Sequence, residues 1–404
     1  MPNARSAAAA RVRPLVLLLG VLALAANLRA ALAGYPPLLE TARAELGTSA
    51  SAAGLAQTGA VLAMAAGSFA GAALGARVGH ERALAGAVGL VAAGSLVRGL
   101  PTFPALVGGS VAVGAGIGVA GVGLTGVVKD RLAARAGAVT GGYVVAMLVG
   151  ATAASAAAVP LAVLLGGWSL ALAAWAVPAL LAVAAWTPVA RRTPRPERGG
   201  PRPALPWRDP FARWACCYQA GTSMLVYGWM TWLPPYYQGQ GFSPALAGLL
   251  LGGWSIAQMP AALLVPALAE RSRRWRFWAS TMLGCIAAGT LGALLLPLAP
   301  LVGPWLWITL IGIGSGAGFP LGLAVIAWRT PDGAASAATS GLALGVGYTV
   351  AGLGPLLMGV LIDVTGGYAA AIGLLLAAAA AQALAIAGIV RTPVPAGEQQ
   401  GVTG

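Results

Sequence analysis

Residues 191–210 read RRTPRPERGGPRPALPWRDP, and they divide the chain into two long apolar parts. The stretch is rich in Pro, Gly and Arg, a composition that opposes both a helix and a packed core. The whole chain is 58% hydrophobic and only 8% charged, whereas soluble domains average roughly 45–50% apolar and about 25% charged residues. We therefore predict an integral membrane protein with a polar linker near its middle.

The apolar parts are long enough for twelve transmembrane helices. One helical span takes about 20 residues, so a charge-free run such as 136–190 holds two helices and a tight connection. The predicted spans are 14–36, 49–75, 83–100, 103–127, 137–161, 168–188, 212–235, 244–268, 276–297, 303–327, 334–361 and 368–390. The predicted domains are an N-terminal bundle at 1–188, a linker at 189–211, a C-terminal bundle at 212–391 and a cytoplasmic tail at 392–404.

The distribution of basic residues predicts the orientation of the chain. The formal net charge is +14, and nearly all of the 24 Lys and Arg lie on the side that holds the N-terminus; Arg43 and Arg98 lie opposite and Arg29 lies within the membrane. Under the positive-inside rule, both termini are then cytoplasmic in a plasma membrane, the inner membrane of a bacterium. A cleavable signal peptide ending near ALA at 31–33 is the alternative for the first span, although an h-region of this length that contains arginine is atypical.

The two halves of the chain repeat each other in the same direction. The matching segments are YPPLL at 35–39 with LPPYY at 233–237, AGL at 53–55 with AGL at 247–249, GAGIGVAGVGL at 114–124 with GIGSGAGFPLG at 312–322, and LLGGW at 164–168 with VTGGY at 364–368. Direct repeats of six helices predict two bundles related by a pseudo-two-fold axis along the membrane normal, with substrate bound between them. The glycines of the third pair predict close helix contacts.

Arg29 lies inside the first predicted span, where a guanidinium costs roughly 2.5–3.5 kcal/mol even on lenient insertion scales. Its neighbours on the same helix face are Ala25, Ala26, Leu32 and Ala33, and these mostly small side chains leave a hollow around it. All ten acidic residues fall in predicted loops or at helix ends. We therefore predict that Arg29 binds an anion; the alternative is a purely structural arginine satisfied by carbonyl groups and water.

Other candidate substrate-binding residues are polar side chains at predicted membrane depth. In the seventh span, Gln219, Ser223, Tyr227 and Thr231 recur every four residues. Because a lipid-facing polar stripe is costly, the stripe faces either a water-filled cavity, which we favour, or packed helices. Isolated groups, each of which could bind substrate or tie two helices together, are Gln57, Thr58, Gln258 and Tyr348. Asn27 completes the set, and we expect its amide to bond a neighbouring helix.

A second group of candidates has gating or supporting roles. Tyr143 lies nearer the cytoplasmic end and fits an inner gate. Trp229 and Trp232 either line the cavity or form an interfacial belt. Arg98 either attracts anions at the outer side or extends to the surface as a snorkelling arginine. Trp254 is a further aromatic surface for stacking.

Several motifs resemble one branch of a transporter family. They are Asn27-Leu28-Arg29, VVKDRLAARAGAVTGGYVVAM at 127–147, WLPPYYQGQGFSPALAGLLL at 232–251 and the block at 329–368. These segments resemble the cyanate and 2-nitroimidazole transporter branch of the major facilitator superfamily, over nearly the whole chain. The resemblance implies secondary transport of small, often anionic solutes. The chain departs from the superfamily's usual loop motif at Ala76, where an aspartate is expected.

Together these patterns predict a secondary active or facilitative transporter that works by alternating access. Its substrate is a small anion, either a carboxylate or a cyanate-like inorganic anion, bound at Arg29. The alternative is an efflux transporter that stacks neutral or aromatic compounds on Tyr227, Trp229, Trp254 and Tyr348. A membrane receptor or scaffold without transport is a third possibility.

Other classes of protein fit the sequence poorly. An enzyme needs a nucleophile, a base or metal ligands in convergent positions, but the single histidine, His80, lies in a predicted loop. We predict no metal site, no cofactor and no nucleic-acid partner. The predicted partners are a small-molecule substrate and the lipid bilayer, and the predicted assembly is a monomer.

Overall fold

The computed structural model describes residues 14–132, 136–192, 205–299, 301–331 and 333–393, almost entirely as helices joined by short turns. The helices in chain order are α1 (Pro14–Ala33), α2 (Leu39–Leu46), α3 (Ala50–Val78), α4 (His80–Val97), α5 (Phe103–Arg131), α6 (Ala136–Leu165), α7 (Trp168–Ala174), α8 (Ala176–Arg192), α9 (Pro210–Gly239), α10 (Pro244–Ser272), α11 (Trp275–Leu295), α12 (Trp305–Arg329), α13 (Gly333–Thr365) and α14 (Ala369–Arg391). The predictions for residues 1–13, for 193–204 of the linker and for 394–404 of the tail lie outside the described residues, so the predicted domain bounds stay a prediction.

These helices make twelve passes, because two of the passes are each built from two segments. After α1, a 3-10 turn at Pro36–Leu38 leads into α2. The sixth pass is interrupted at Trp175, between α7 and α8. Ten of the described segments are long and apolar enough to cross a membrane.

The two remaining passes, α4 and α9, are less apolar for different reasons. The first turn of α4 contains the charged residues Glu81 and Arg82. Nearly every residue of α9 from Phe211 to Tyr237 is buried by other helices. A helix that is surrounded by protein can carry polar side chains, because lipid does not contact them. The predicted all-helical membrane fold is therefore confirmed, and α9 is its most enclosed helix.

Helix contacts within the two halves repeat each other. Helix α1 packs on α6 and α8 as α9 packs on α13 and α14, and α5 packs on α3 and α4 as α12 packs on α10 and α11. The contact of α4 with α8 likewise corresponds to that of α11 with α14. Two equivalent contacts, α3 with α13 and α6 with α10, join the halves. The described helices thus form two six-helix bundles with matching packing, as the repeats predict.

Glycines bring the helix backbones of each bundle close together. In α5, a Cβ atom added at Gly114 or Gly118 would overlap the carbonyl oxygens of Ala60 and Met64 in α3. In α12, a Cβ atom at Gly314 would lie 2.5 Å from the carbonyl oxygen of Met282 in α11. Lipid provides no hydrophobic driving force for helix association. Small residues stabilise these contacts instead, because they allow close van der Waals packing of the helices. The predicted role in close packing is confirmed for these three glycines, but it is wrong for Gly121 of the same run, where an added Cβ atom has nothing within 4 Å.

Replacing Gly114 with alanine is expected to destabilise the folded protein by roughly 2–3 kcal/mol, because the new methyl group meets backbone rather than a movable side chain. Gly121 in the same helix is the matched control, since a Cβ atom there has nothing within 4 Å. The measurement is the thermal unfolding midpoint of each purified variant in detergent. Equal midpoints for Gly114→Ala and Gly121→Ala would contradict the packing argument.

The two bundles meet tightly at the end where α1 and α9 finish, which we call the outer end after the predicted orientation. A Cβ atom at Gly54 in α3 would lie 2.5 Å from the carbonyl oxygen of Pro355 in α13. The equivalent contact joins Gly248 in α10 to the carbonyl oxygen of Ser155 in α6, also at 2.5 Å. The repeat of AGL at 53–55 and 247–249 therefore reflects two equivalent closures of the outer end.

A carboxylate also joins the bundles at the outer end. The oxygens of Asp363, near the end of α13, accept hydrogen bonds from the backbone N–H groups of Ala50 and Ser51 at 2.8 Å each. These groups are unpaired donors at the start of α3, where negative charge is favourable. The Gln238 amide adds a bond to the Pro37 carbonyl oxygen.

Candidate functional site

One partly exposed face of α1 ends at Arg29. On one face of α1, Leu19 is exposed and Leu22, Ala26 and Arg29 are half-buried, whereas every residue from 30 to 39 is buried. On α6, all residues from 141 to 147 are half-buried. From this pattern and the contacts that close the outer end, we infer a cleft between the bundles that opens at the opposite end of the molecule, which we call the inner end. Arg29 is the last half-buried residue of α1 along this face.

The guanidinium of Arg29 has no acidic partner among the described residues, and no hydrogen bond to it is found there. Most described carboxylates have partners of their own: Glu40 pairs with Arg43, Glu81 pairs with Arg131, Glu45 accepts from Trp168, Asp209 caps α9 and Asp363 caps α3. A half-buried cation without a protein counter-ion is costly at membrane depth. Its cost is offset only by water or by a bound anion.

Two tyrosines of the C-terminal bundle lie within electrostatic range of Arg29. The positive charge of Arg29 acts on the hydroxyl groups of both Tyr227 in α9 and Tyr348 in α13. Their rings meet edge to face, with centroids 6.3 Å apart, and the Tyr227 hydroxyl lies 3.7 Å from the sulfur of Met64 in α3. The structure thus brings together three of the predicted site residues, which come from both bundles.

Phe319 in α12 is a member of this cluster that the sequence analysis missed. Its ring stacks on Tyr348 with centroids 6.2 Å apart, and it is half-buried. The glycine-rich run around it predicts only a helix contact. The only feature of the sequence that marks Phe319 is its position next to Pro320, a proline inside helix α12. With Phe319 and the two tyrosines, the site combines the cation of Arg29 with a cluster of aromatic rings.

The polar stripe of α9 is buried by packed helices. Gln219, Ser223 and Thr231 are 1%, 3% and 0% exposed, and the Thr231 hydroxyl donates to the backbone carbonyl of Tyr227. The interpretation of the stripe as the wall of a water-filled cavity is therefore wrong for these three residues in this conformation. Both side-chain amide atoms of Gln219 are buried and have no hydrogen-bond partner within the described part of the chain.

Thr58 and Gln57 in α3 have different surroundings. The Thr58 hydroxyl oxygen accepts a hydrogen bond from the backbone N–H of Leu356, at 3.1 Å, so this side chain ties the two bundles together. The Gln57 side chain is 2% exposed and its Nε2 has no partner among the described residues. Gln57 is therefore buried with an unbonded amide nitrogen among the described residues, whereas Thr58 is already engaged.

Asn27 and Gln258 bond to their own helices. The Asn27 Nδ2 donates to the carbonyl oxygen of Ala23 at 2.8 Å, so the expected bond to a neighbouring helix is wrong. The Gln258 Nε2 lies 3.5 Å from the carbonyl oxygen of Trp254. In each case one N–H of the side-chain amide bonds to the preceding turn of its own helix, so no second helix is needed for that bond.

The tryptophans predicted for the cavity or the interface are core residues. Trp229 and Trp232 are each 1% exposed. The Nε1 of Trp229 donates to the hydroxyl of Thr290, and that of Trp232 donates to the carbonyl oxygen of Pro355. Both predicted positions are therefore wrong in this structure. Trp254 is also buried, and its Nε1 has no partner among the described residues.

Arg98 is neither a surface residue nor accessible to anions. Its side chain is 1% exposed, and it donates to the backbone carbonyl of Ala31 at 2.9 Å and to the hydroxyl of Ser95 at 3.3 Å. Both interpretations of Arg98 required exposure and are wrong. The residue instead holds the end of α4 against α1. Tyr143, the predicted inner-gate residue, is half-buried on α6.

The chain matches known proteins over most of its length. Residues 17–311 match the model of the Major Facilitator Superfamily. The chain is 33% identical to the 2-nitroimidazole transporter of Escherichia coli (strain K12), across 88% of this chain and 90% of the relative. It is 30% identical to the Cyanate transport protein CynX of the same organism, across 87% and 91% of the two chains.

Solved structures with the same fold are more distant in sequence. A bacterial homologue of the human lysosomal transporter Spinster, in an inward-facing and occupied conformation, superposes with a TM-score of 0.73 at 17% identity, over 92% of this chain and 95% of the other. A D-xylose-proton symporter gives 0.73 at 15% identity, over 94% and 97%. Identities this low support the fold alone.

Two six-helix bundles around a cleft define a class of membrane transporter that binds its solute between the bundles. The chain belongs to the major facilitator superfamily. It is a multi-pass membrane protein that transports a small solute, and it is not an enzyme, because its relatives and its fold are those of transporters.

Proposed function

We propose that this chain moves a small anionic solute across the plasma membrane by alternating access, with Arg29 as the central binding residue. The observation that carries the proposal is the half-buried guanidinium without a protein counter-ion among the described residues. Because arginine stays charged at any accessible pH, a small carboxylate or an inorganic anion is the ligand that balances it. The name of the cyanate transport relative is consistent with such a substrate.

The tyrosine hydroxyls complete this binding site. Tyr227 and Tyr348 lie within electrostatic reach of Arg29 and carry O–H donors, and bonds from donors to an anionic acceptor are stronger than neutral ones. The Nε2 of Gln57 has no partner among the described residues, and it becomes a further donor when the outer end opens. The anion is then bound by one cation of the N-terminal bundle and two hydroxyls of the C-terminal bundle. It contacts both bundles at once, which couples binding to their relative motion.

A second candidate function is the efflux of neutral or aromatic compounds. The observation that favours it is the aromatic wall of the cleft, where Phe319 stacks on Tyr348 and Tyr348 meets Tyr227 edge to face. Such rings bind flat aromatic compounds through offset stacking. The relative named as a 2-nitroimidazole transporter is consistent with this substrate class. In this case Arg29 binds polar substituents rather than a full negative charge.

Orientation, coupling and assembly belong to the same proposal. The basic residues favour cytoplasmic termini and a cleft open to the cytoplasm. Described carboxylates lie at helix ends rather than beside Arg29. We therefore expect uniport, exchange, or symport in which a proton travels with the anion. We expect a monomer, because each chain contains both halves of its cleft.

A ligand panel on the purified protein tests the anion proposal. Small carboxylates and inorganic anions are expected to raise the thermal unfolding midpoint of wild type, because a ligand that binds only the folded state stabilises it by mass action. Neutral imidazoles and nitroaromatics are expected to have a smaller effect. The matched control is Arg29→Gln, which should lose the response to anions. Stabilisation by neutral aromatic compounds alone, unchanged in Arg29→Gln, would favour efflux.

A further inference from the structure

A groove runs along the outside of the C-terminal bundle, between α11 and α14. It has a volume of about 470 Å³. Small residues open into it from both helices, among them Ser280, Gly284 and Ala287 of α11 and Ala380 and Ala383 of α14. A Cβ atom added at Gly284 would have nothing within 4 Å, so the space beside this residue is empty of protein.

The groove faces the bilayer rather than the substrate cleft. The main neighbours of α11 are α10, α12 and α14, and those of α14 are α9, α11 and α13, all within the C-terminal bundle. Both helices are long and apolar enough to cross a membrane. The molecules that meet this surface in a membrane are therefore lipids.

Two arginines lie at the inner end of the groove. Arg276 precedes Ser280 and Gly284 by four and eight residues, so it lies on the groove face of α11. Arg391 follows Ala383 by eight residues and lies on the groove face of α14 by the same spacing. The helices are antiparallel, so the start of α11 and the end of α14 fall at the same end of the bundle.

Both arginines are available to a ligand. Each is exposed, and neither has a hydrogen bond or an ion pair with a residue in the described part of the chain. Two like charges at one end of an apolar groove favour an anionic group there. Basic pockets between transmembrane helices are known to receive anionic lipid headgroups.

The length of the groove matches one leaflet of a bilayer. Eleven residues separate Arg276 from Ala287, and at 1.5 Å per residue this is a rise of about 16 Å. One leaflet contributes about half of the roughly 30 Å hydrocarbon core. A lipid with its phosphate at the arginines would therefore lay its acyl chain along the small residues down to the bilayer midplane.

We propose that this groove binds an anionic phospholipid, with its phosphate group between Arg276 and Arg391 and one acyl chain beside Gly284. The lipid contacts both α11 and α14 and so holds these two helices together from the outside. This site is separate from the substrate cleft and does not depend on the identity of the solute.

The test is the thermal unfolding midpoint of the purified full chain with added phosphatidylglycerol, phosphatidylcholine or inorganic phosphate. Phosphatidylglycerol is expected to raise the midpoint of wild type by roughly 3 °C or more above phosphatidylcholine, and phosphate alone is expected to have no effect. The double variant Arg276→Gln/Arg391→Gln and the groove-filling variant Gly284→Leu should both lose this difference. Native mass spectrometry of lipid-bound protein provides a second readout.

Arg191→Gln is the matched control. Arg191 is exposed at the end of α8, the N-terminal equivalent of α14, and its loss removes one positive charge from the other bundle. This variant should keep the full response. Equal effects of the two lipids on wild type would overturn the proposal. A response to phosphate alone, or one that Gly284→Leu retains, would also overturn it, because the acyl chain would then have no place in the groove.

Discussion

Replacing Arg29 with glutamine is expected to reduce the uptake of a small anion into proteoliposomes about 100-fold or more. Removing one partner of a buried charge pair costs roughly 2–5 kcal/mol, and each 1.4 kcal/mol is a factor of ten. The anion would lose the only cation that the described part of the cleft supplies, because Arg98 is buried and bonded to Ala31. The measurement is the initial rate of labelled anion counterflow at equal amounts of reconstituted protein.

The stability of the Arg29→Gln variant separates a binding role from a structural one. Because Arg29 bonds no described residue, its removal leaves no internal partner unpaired, and the thermal unfolding midpoint should stay the same or rise. Arg29→Lys should retain part of the transport, since it keeps the charge but loses the planar fork. Arg213→Gln, an exposed arginine at the start of α9, is the control with unchanged transport. Normal anion counterflow in Arg29→Gln would refute the site assignment.

Replacing both Gly54 and Gly248 with valine is expected to abolish transport while each bundle remains folded. These glycines occupy equivalent places, and a Cβ atom at either one would lie 2.5 Å from a carbonyl oxygen of the other bundle. The added side chains therefore oppose the contact between bundles and leave the contacts within each bundle intact. A transporter that cannot close its outer end cannot complete the alternating-access cycle. Uptake by the variant should fall to the level of empty liposomes.

Labelling of a cysteine at Thr58 reports the closure directly. Thr58 is 2% exposed, so in a background without the three native cysteines, Thr58→Cys should resist a membrane-impermeant maleimide added from the outer side. The same cysteine should be labelled when Gly54 and Gly248 are valine. Gly89→Val in α4 is the control, because a Cβ atom there has nothing within 4 Å. Full transport by the double variant would show that the two contacts do not close the cleft.

Hydrophobicity and internal repetition were sufficient to predict the architecture. Apolar runs of about 20 residues can only be helices in lipid, because every backbone polar group must be satisfied within its own segment. The paired AGL segments at 53–55 and 247–249 marked equivalent helices, and their glycines form equivalent contacts in the structure. The unusual position of Arg29 was also evident, since a permanent charge in an apolar run stands out without any coordinates.

Side-chain surroundings could not be predicted in the same way. The polar side chains of the α9 stripe had to face either water or packed helices rather than lipid. The sequence could not distinguish these two surroundings, because both keep polar groups away from lipid. Only the packing of other helices around it made α9 an enclosed helix. Arg98 looked like a surface residue because its partner is the backbone carbonyl of Ala31, and every residue has such a carbonyl. The sequence therefore cannot show which backbone carbonyl group accepts a hydrogen bond from a given side chain.

The sequence by itself thus determined the membrane class, the two-fold arrangement and the position of Arg29 within an apolar span, because all three follow from local composition and spacing. Tertiary structure decided which polar groups face the cleft, that Phe319 joins Tyr348 beside Arg29, and that the outer end is closed. It also decided that Pro36 and Pro37 interrupt the first pass whereas the equivalent Pro234 and Pro235 lie within a continuous α9. These outcomes depend on which helices touch, and distances between helices are a property of the folded chain alone.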